Sequence, residues 1–384
     1  MATSISGASG VVHVSQVAAH LRKRGHQLYT NLSFESPGLT YFSLADFIRR
    51  AHELDLFYVR IQGVPFNDQL TVLRHTNYKA PCIWEVNAPL EEMRLRGISD
   101  NRLVKFNQQR KSLARLVDGA ICVSEEMARY AKQDLKIENC LVIPNGSDPE
   151  LFSMVKKSPS PFKSNQFIVL WAGSPKYSWQ GLDIVQKVAR RIQSTEPDIL
   201  FAVTADGKSH GNMLYLGRIP YDEMPGYMAA ADVGLCIYEP IDFYKEFFFS
   251  PLKLYDYMAC GLPVIGTGVG QIKDVFEQVG NGLLTDNSIK DLIEKILFLK
   301  RNRQQAGDMG RKGRQAVEEV YNWARIAEKS ERFMEQTRAV YRPPRITALH
   351  LSRGQWLLWK MRYRFIFNFV KPMINRFGTG GART

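Results

Sequence analysis

Residues 246–268 read EFFFSPLKLYDYMACGLPVIGTG. An apolar run and a Ser-Pro break lead into a helical stretch, which ends in Gly-Leu-Pro ahead of a buried-type strand. Pro251 suits a first helical turn, where the missing N–H has no intrahelical partner, and Ser250 before it is a candidate N-cap. The free N–H groups and positive dipole end of such a helix attract anions. Lys253 lies in the first turn and Asp256 one turn on, an arrangement that suits a ligand with phosphates at one end and hydroxyls at the other. An ordinary capped helix packed on a sheet would read the same way. A helix followed by a short apolar strand is also the repeating unit of an α/β protein, and the rest of the chain repeats it.

Working outward, short apolar or β-branched runs alternate with helical stretches, the pattern of parallel sheets. The first half predicts strands at 27–32, 56–62, 81–86, 119–124 and 140–144, with helices at 12–24, 43–53, 100–116 and 125–133. Residues 156–164, KKSPSPFKS, read as a linker. The alternation then restarts, with strands at 167–172, 200–205, 213–216, 233–238, 263–267 and 282–285. Helices are predicted at 182–194, 221–230, 252–260, 271–279, 289–301 and 304–320. The fold class expected is α/β, two Rossmann-like doubly wound domains facing a central cleft, with a ligand at the carboxyl ends of the strands. The first strand is the weak element: residues 3–6 are too short for a central strand, so it is a stub or the recorded start is late.

The composition narrows the function. Of 384 residues, 45% are hydrophobic, enough for two cores, and the formal net charge is +13. Nine of the basic residues fall between 341 and 384, where no Asp or Glu occurs, leaving +4 for the first 340 residues. That is a basic tail on a near-balanced body, which disfavours nucleic acid as a partner. Five scattered cysteines, an odd number mostly in apolar runs, predict reduced thiols and a cytoplasmic protein. The sequence predicts no metal cluster, signal peptide or membrane-spanning run. Residues 355–377, QWLLWKMRYRFIFNFVKPMINRF, interleave aromatic and basic side chains without an acid. That suits either an anionic membrane surface, at its inner face, or packing on protein.

Several loops carry candidate chemistry. Gly7 and Gly10 precede a helix and allow close approach of a phosphate or sugar. They do not form GxGxxG, and no acid closes the strand at 27–32, so a nicotinamide cofactor is disfavoured. Glu85 and Asn87 end an apolar strand, where ligands sit in such sheets; Glu85 is alternatively paired to a basic residue between Arg94 and Arg115. Gly173, Ser174 and Lys176 follow the first strand of the second half and can present N–H groups to a phosphate. Arg218 and Ile219 lie in a loop suited to a flat base. Asp232 reads as a cap or turn residue. The seven histidines form no evident pair, and neither a Gly-x-Ser-x-Gly nor a Walker loop occurs.

Seven segments in order, GASGVVHVSQVAAHLRKRGH, WEVNAPLEE, DGAICVSEEM, VIPNGSDPELF, WAGSPKYSWQGLD, LGRIPYDEMPGYMAAADVGL and SPLKLYDYMACGLPVIGTG, resemble the retaining GT-B glycosyltransferases of family 4, the group 1 type. The resemblance spans about residues 7–341. It implies an acceptor-side domain (1–155), a linker (156–164), a nucleotide-sugar-binding domain (165–320), a helix crossing back (321–340) and a tail (341–384). It implies a sugar moved with retention from a nucleotide-diphosphate donor to a glycan or lipid-linked acceptor. Neither metal nor other cofactor is expected, the diphosphate being met by basic side chains and helix N-termini.

Position by position, the family's second motif glutamate falls at Asp256. The first falls at Phe248, with Glu246 the nearest acid. Ser174 and Gln180 occupy the positions of the family's diphosphate-binding Arg and Lys, leaving Lys253, and Lys176 second, to supply charge. The family's first-domain histidine has no counterpart; its location reads Glu85-Val86-Asn87. The expected catalytic set is therefore Glu246, Lys253, Glu85 and Asn87. The expected donor-binding set is Gly10, Gly173, Ser174, Lys176, Arg218, Ile219, Ser250, Pro251, Leu252 and Asp256. Competing readings are an epimerase or phosphorylase on the same fold, and a non-catalytic relative that binds nucleotide sugar or a partner transferase.

Overall fold

The computed structural model describes residues 2–4, 8–31, 39–61, 73, 79–153, 162–163, 165–239, 247–343 and 361. Two parallel sheets dominate. The first half builds a five-stranded sheet in the order β1 (Ala2–Ser4), β4 (Phe57–Ile61), β5 (Cys82–Val86), β6 (Gly119–Cys122) and β7 (Cys140–Val142). Between β1 and β4 the chain forms α1 (Ala8–Lys23) and α2 (Leu44–Arg49), and β2 (Leu28–Thr30) pairs with β3 (Leu39–Tyr41) as a separate parallel ribbon. Helices α3 (Asp100–Ala114) and α4 (Glu125–Gln133) flank the later strands. All of CIWEV in β5 and GAIC in β6 is buried, which is why these central strands read as unbroken apolar runs.

The second half builds a six-stranded sheet from β8 (Phe167–Trp171), β9 (Ile199–Val203), β10 (Met213–Tyr215), β11 (Val233–Cys236), β12 (Val264–Thr267) and β13 (Gly282–Thr285). The spatial order is β10-β9-β8-β11-β12-β13. The chain therefore winds one way from β8 and the other way from β11, and the crevice between their carboxyl ends is the topological switch point. Helices α5 (Leu182–Ile192), α6 (Met224–Ala230), α7 (Leu252–Ala259), α8 (Gly270–Val279), α9 (Ile289–Arg301) and α10 (Arg303–Glu319) cover the sheet, and α11 (Trp323–Val340) returns to pack along α1.

β1 is the short strand expected, three residues paired with β4 in the described sheet. Two other expectations need correction. β3 and the 3-10 segment Leu90–Arg96 were not anticipated, because neither carries hydrophobic periodicity. Helix α1 already begins at Ala8, so Gly10 lies within its first turn rather than in a loop before it.

The chain crosses between the halves at two adjacent points. Ser147 forms a parallel bridge with Asn322, and its N–H donates to the Tyr321 carbonyl at 2.9 Å. Gly146 is required by this approach: a Cβ there would lie 2.4 Å from the Tyr321 carbonyl oxygen. The halves also meet across the cleft. Phe248, 0% exposed, packs in the first-half core with residues such as Val86, Cys122 and Met127. Ser124 Oγ donates to the Phe248 carbonyl at 3.1 Å, and Gln271 Nε2 donates to the Val123 carbonyl at 2.9 Å.

Candidate active site

Helix α7 starts at the mouth of the cleft. Its N-cap is Pro251, one residue later than expected, and no side chain caps it. Ser250 does other work: its Oγ accepts from the Asn145 N–H at 2.8 Å, and its carbonyl accepts from Asn145 Nδ2 at 2.6 Å. Both bonds join the halves. Leu252, the first helical residue, packs against the cluster of Ile143, Trp323 and Val17 on the first-half side.

Lys253 Nζ occupies the switch point. It lies 5.3 Å from the ring centre of Trp171, the last residue of β8, and 4.9 Å from that of Tyr238, two residues past β11. The atom is closed to solvent and has no hydrogen-bond partner among the described residues. Burial pushes the ammonium down to about 8. The ring faces give cation–π attraction, but an ammonium has three N–H donors and none is used here.

Asp256, 3% exposed, accepts from Ser147 Oγ at 2.6 Å and from the Tyr221 hydroxyl at 3.2 Å, both on Oδ1. Burial pushes its carboxyl up to about 7 against the pull of these two bonds. Tyr221 follows the loop of Arg218 and Ile219. In that loop Ile219 packs into the second-half core, whereas Arg218 is 90% exposed and pairs with Asp206 at 3.3 Å.

The loop after β8 closes over the same crevice. The Gly173 N–H donates to Thr204 Oγ1 at 3.2 Å and the Ser174 N–H to Gln180 Oε1 at 3.0 Å. Both donors are engaged by side chains, so an anion there exchanges partners with Thr204 and Gln180. Lys176 is exposed.

Glu85 is a correction. It is 1% exposed and lies inside the first-half sheet, opposite Arg60 on β4, to which it is paired. The Tyr58 hydroxyl donates to it at 2.6 Å, and His13 Nε2 stands 3.2 Å away. Burial works against the charge, yet Arg60 and His13 hold the carboxyl at about 2. With three partners Glu85 has its charge met inside the first-half sheet, away from the exposed rim where it was expected. Its partner comes from the neighbouring strand, not from the region between Arg94 and Arg115. Arg110 from that region is buried instead over the Trp84 and Tyr130 rings and donates to the Ala88 carbonyl at 3.0 Å.

Asn87 is half-buried just past β5. Glu246 lies outside the described residues, as do Gly7 and the stretch 355–377 apart from Met361; Gly10 is described only in its helical backbone. Asp232, expected as a cap or turn residue, ties β8 through its carboxylate to the Ile168 N–H at 2.7 Å and pairs with Arg303.

His13 was missed as part of the site. Its Nδ1 is 2.7 Å from Asn145 Oδ1, and its ring meets Trp323 edge-on at 5.2 Å. It thus links Glu85 to Asn145, which holds Ser250 ahead of α7. The one sequence signal was its place among the apolar residues of α1. Among the described residues no cluster of His, Cys, Asp or Glu could hold a metal ion, and the described cysteines are all free thiols.

The arrangement of two parallel α/β domains is shared with known proteins. Residues 183–332 match a family model described as glycosyl transferase-like. Over 88% of the chain the fold superposes on sucrose-phosphate synthase from Thermosynechococcus elongatus, covering 99% of it with TM-score 0.66 at 18% identity. The fold is of the GT-B kind.

Anabaena HepE, solved with UDP-glucose, superposes on 87% of this chain and 98% of its own, with TM-score 0.64 and 16% identity. A Bacillus subtilis protein, TuaH, provisionally named as a teichuronic acid biosynthesis glycosyltransferase, is 25% identical over 223 residues, 54% of each chain. The chain spans about half the length of the curated relatives it matches.

Proposed function

We propose that the protein transfers a sugar, with retention, from a nucleotide-diphosphate donor to a glycan or lipid-linked acceptor. The observation that carries this reading is Lys253: a buried ammonium without a hydrogen-bond partner among the described residues, in the first turn of an uncapped helix, at the switch point of the second sheet. A buried, unpaired charge is costly, and a donor diphosphate offers the anion it lacks. The α7 N–H groups and those of Gly173 and Ser174 add donors for the same phosphates. Asp256 takes the ribose hydroxyls, and Tyr221 places the base loop of Arg218 and Ile219 beside it. Stabilising the leaving diphosphate is then the main catalytic contribution. A lost donor of this kind costs about 2–4 kcal/mol of barrier.

UDP-sugars are the first donors to test, because HepE was solved with UDP-glucose. Incubation with UDP-, GDP- and ADP-sugars, followed by release of the nucleoside diphosphate, tests the reading; no release and no transfer from any donor rejects it. The anomeric configuration of the product, read by NMR, tests retention. A second reading, a relative that binds the donor without turning it over, draws on Phe248: the position of the family's first glutamate is occupied by a ring in the other domain's core. Donor binding without release selects it.

The basic, aromatic segment 355–377 gives the protein an anionic membrane surface as a further partner in this proposal. No helix among the described residues is long and apolar enough to cross a membrane. Flotation with anionic liposomes, lost when residues 345–384 are removed, is the expected result; equal flotation rejects it.

A further inference from the structure

Beside the phosphate site, the loop between β8 and α5 carries a feature that phosphate binding leaves unused. Tyr177 and Trp179 are both half-exposed, with ring centres 4.6 Å apart. Trp179 lies parallel to Phe249 within 8°, at 6.5 Å. Phe249 in turn touches Phe248 at 4.1 Å, at the seam between the domains. The four rings form a row from half-exposed Tyr177 and Trp179 to Phe249 and Phe248 at the seam. Its inner end is fixed by packing in both cores.

A carboxyl pair stands behind this row. The Glu239 N–H donates to the Trp179 carbonyl at 2.8 Å, so the two residues are backbone neighbours. Asp183, exposed in the first turn of α5, lies beside the Glu239 carboxyl, and burial and Asp183 push Glu239 up to about 7. Glu239 Oε1 is closed to solvent and has no hydrogen-bond partner among the described residues. The two carboxyls therefore offer oxygens for hydrogen bonding one backbone contact from Trp179.

We propose that this row, with the Asp183–Glu239 pair, is a subsite for a hexopyranose ring. A pyranose presents a face of C–H groups, which packs on aromatic rings, and an edge of vicinal hydroxyls, which both give and accept hydrogen bonds. Each half of that surface has its counterpart here. The subsite rests on the transferase reading for its place in a reaction but not for its chemistry. The ring belongs either to the donor's sugar or to an acceptor glycan.

The test compares wild type with Tyr177→Ala, Trp179→Ala, Trp179→Phe and Glu239→Gln. Calorimetry measures binding of UDP, GDP, UDP-glucose and GDP-mannose, and an array of neutral hexose oligosaccharides measures glycan binding. If the ring is the donor's, Trp179→Ala and Tyr177→Ala weaken the sugar nucleotides at least fivefold and leave UDP and GDP unchanged. If it is the acceptor's, array binding falls at least fivefold and the ratio of sugar nucleotide to nucleotide is kept. Trp179→Phe retains most of the binding in either case, which separates a lost ring face from misfolding. Wild-type values for all ligands in Tyr177→Ala, Trp179→Ala and Glu239→Gln overturn the proposal, as does a wild type that binds no hexose ligand. Array binding that depends on Trp179, in a protein that binds none of the four nucleotides, keeps the subsite and rejects the transferase reading instead.

Discussion

Ser147 donates its hydroxyl to Asp256 Oδ1 at 2.6 Å. Ser147 is also the residue bridged to Asn322 where the chain crosses between the domains, so the carboxylate proposed to bind ribose is bonded directly to the crossing point. A ligand that engages Asp256 would compete for, or add to, a bond made there.

Asp256 predicts a pH dependence. Its folded value is about 7, against 3.8 for an ordinary aspartate, because burial disfavours the charge. Between those values the folded chain holds a proton that the unfolded chain has released. Stability from this group is thus present at low pH and lost as pH rises from about 4 to 7. Asp256→Asn should flatten the fall in Tm over that window, and donor binding should weaken in the same variant. An unchanged Tm profile would contradict the burial argument.

Lys253 gives the opposite slope. The folded ammonium loses its proton near 8, below the ordinary 10.5, so between these values the unfolded chain binds a proton that the folded one does not. Stability rises with pH through that window. Lys253→Met should abolish the rise, leave the protein as stable as wild type or more so at pH 7, and slow turnover roughly 30- to 900-fold. Thermal melts at pH 7 and 9.5, with initial rates, check both halves.

Glu85→Gln should destabilise without touching binding directly. The variant leaves Arg60 buried beside a neutral amide, a loss of about 3–5 kcal/mol. The native carboxylate, held at about 2, contributes stability that is full above about 4.5 and lost as pH falls toward 2. Urea unfolding at pH 3 and pH 6 should show a large pH effect in wild type and a small one in the variant. Pairing it with Arg60→Met should recover much of the loss.

Phe248→Ala removes a fully buried ring from the first-half core while its backbone stays on the second-half loop. The expected cost is about 3–5 kcal/mol, concentrated at the domain seam. Calorimetry should show the unfolding endotherm split into two transitions. A single, merely shifted transition would mean that the other cross-cleft bonds suffice.

Much of the fold was legible from local pattern. Unbroken runs such as CIWEV and FIVLW named the central strands, because both faces of a parallel sheet are covered. KLYDYMACGLPVIGT placed α7 and β12 within a residue or two. The short ribbon strand Leu39–Tyr41 was not legible, having no periodicity. Nor was the role of Glu85: its partners sit on β4 and α1, and only the register that sets Arg60 opposite Glu85 reveals the pair.

The chain's local chemistry therefore settled the two α/β halves, the helix that opens at Ser-Pro and the two charged residues on it. Those are consequences of periodicity, capping and proline geometry over a few residues. Where Lys253 and Asp256 point, which glutamate is spent in the core, and that Phe248 seals one domain with another domain's loop depended on packing between segments far apart in sequence. Burial and partner geometry at long range decide whether a charged group is structural or free for a ligand, and no local pattern carries that information.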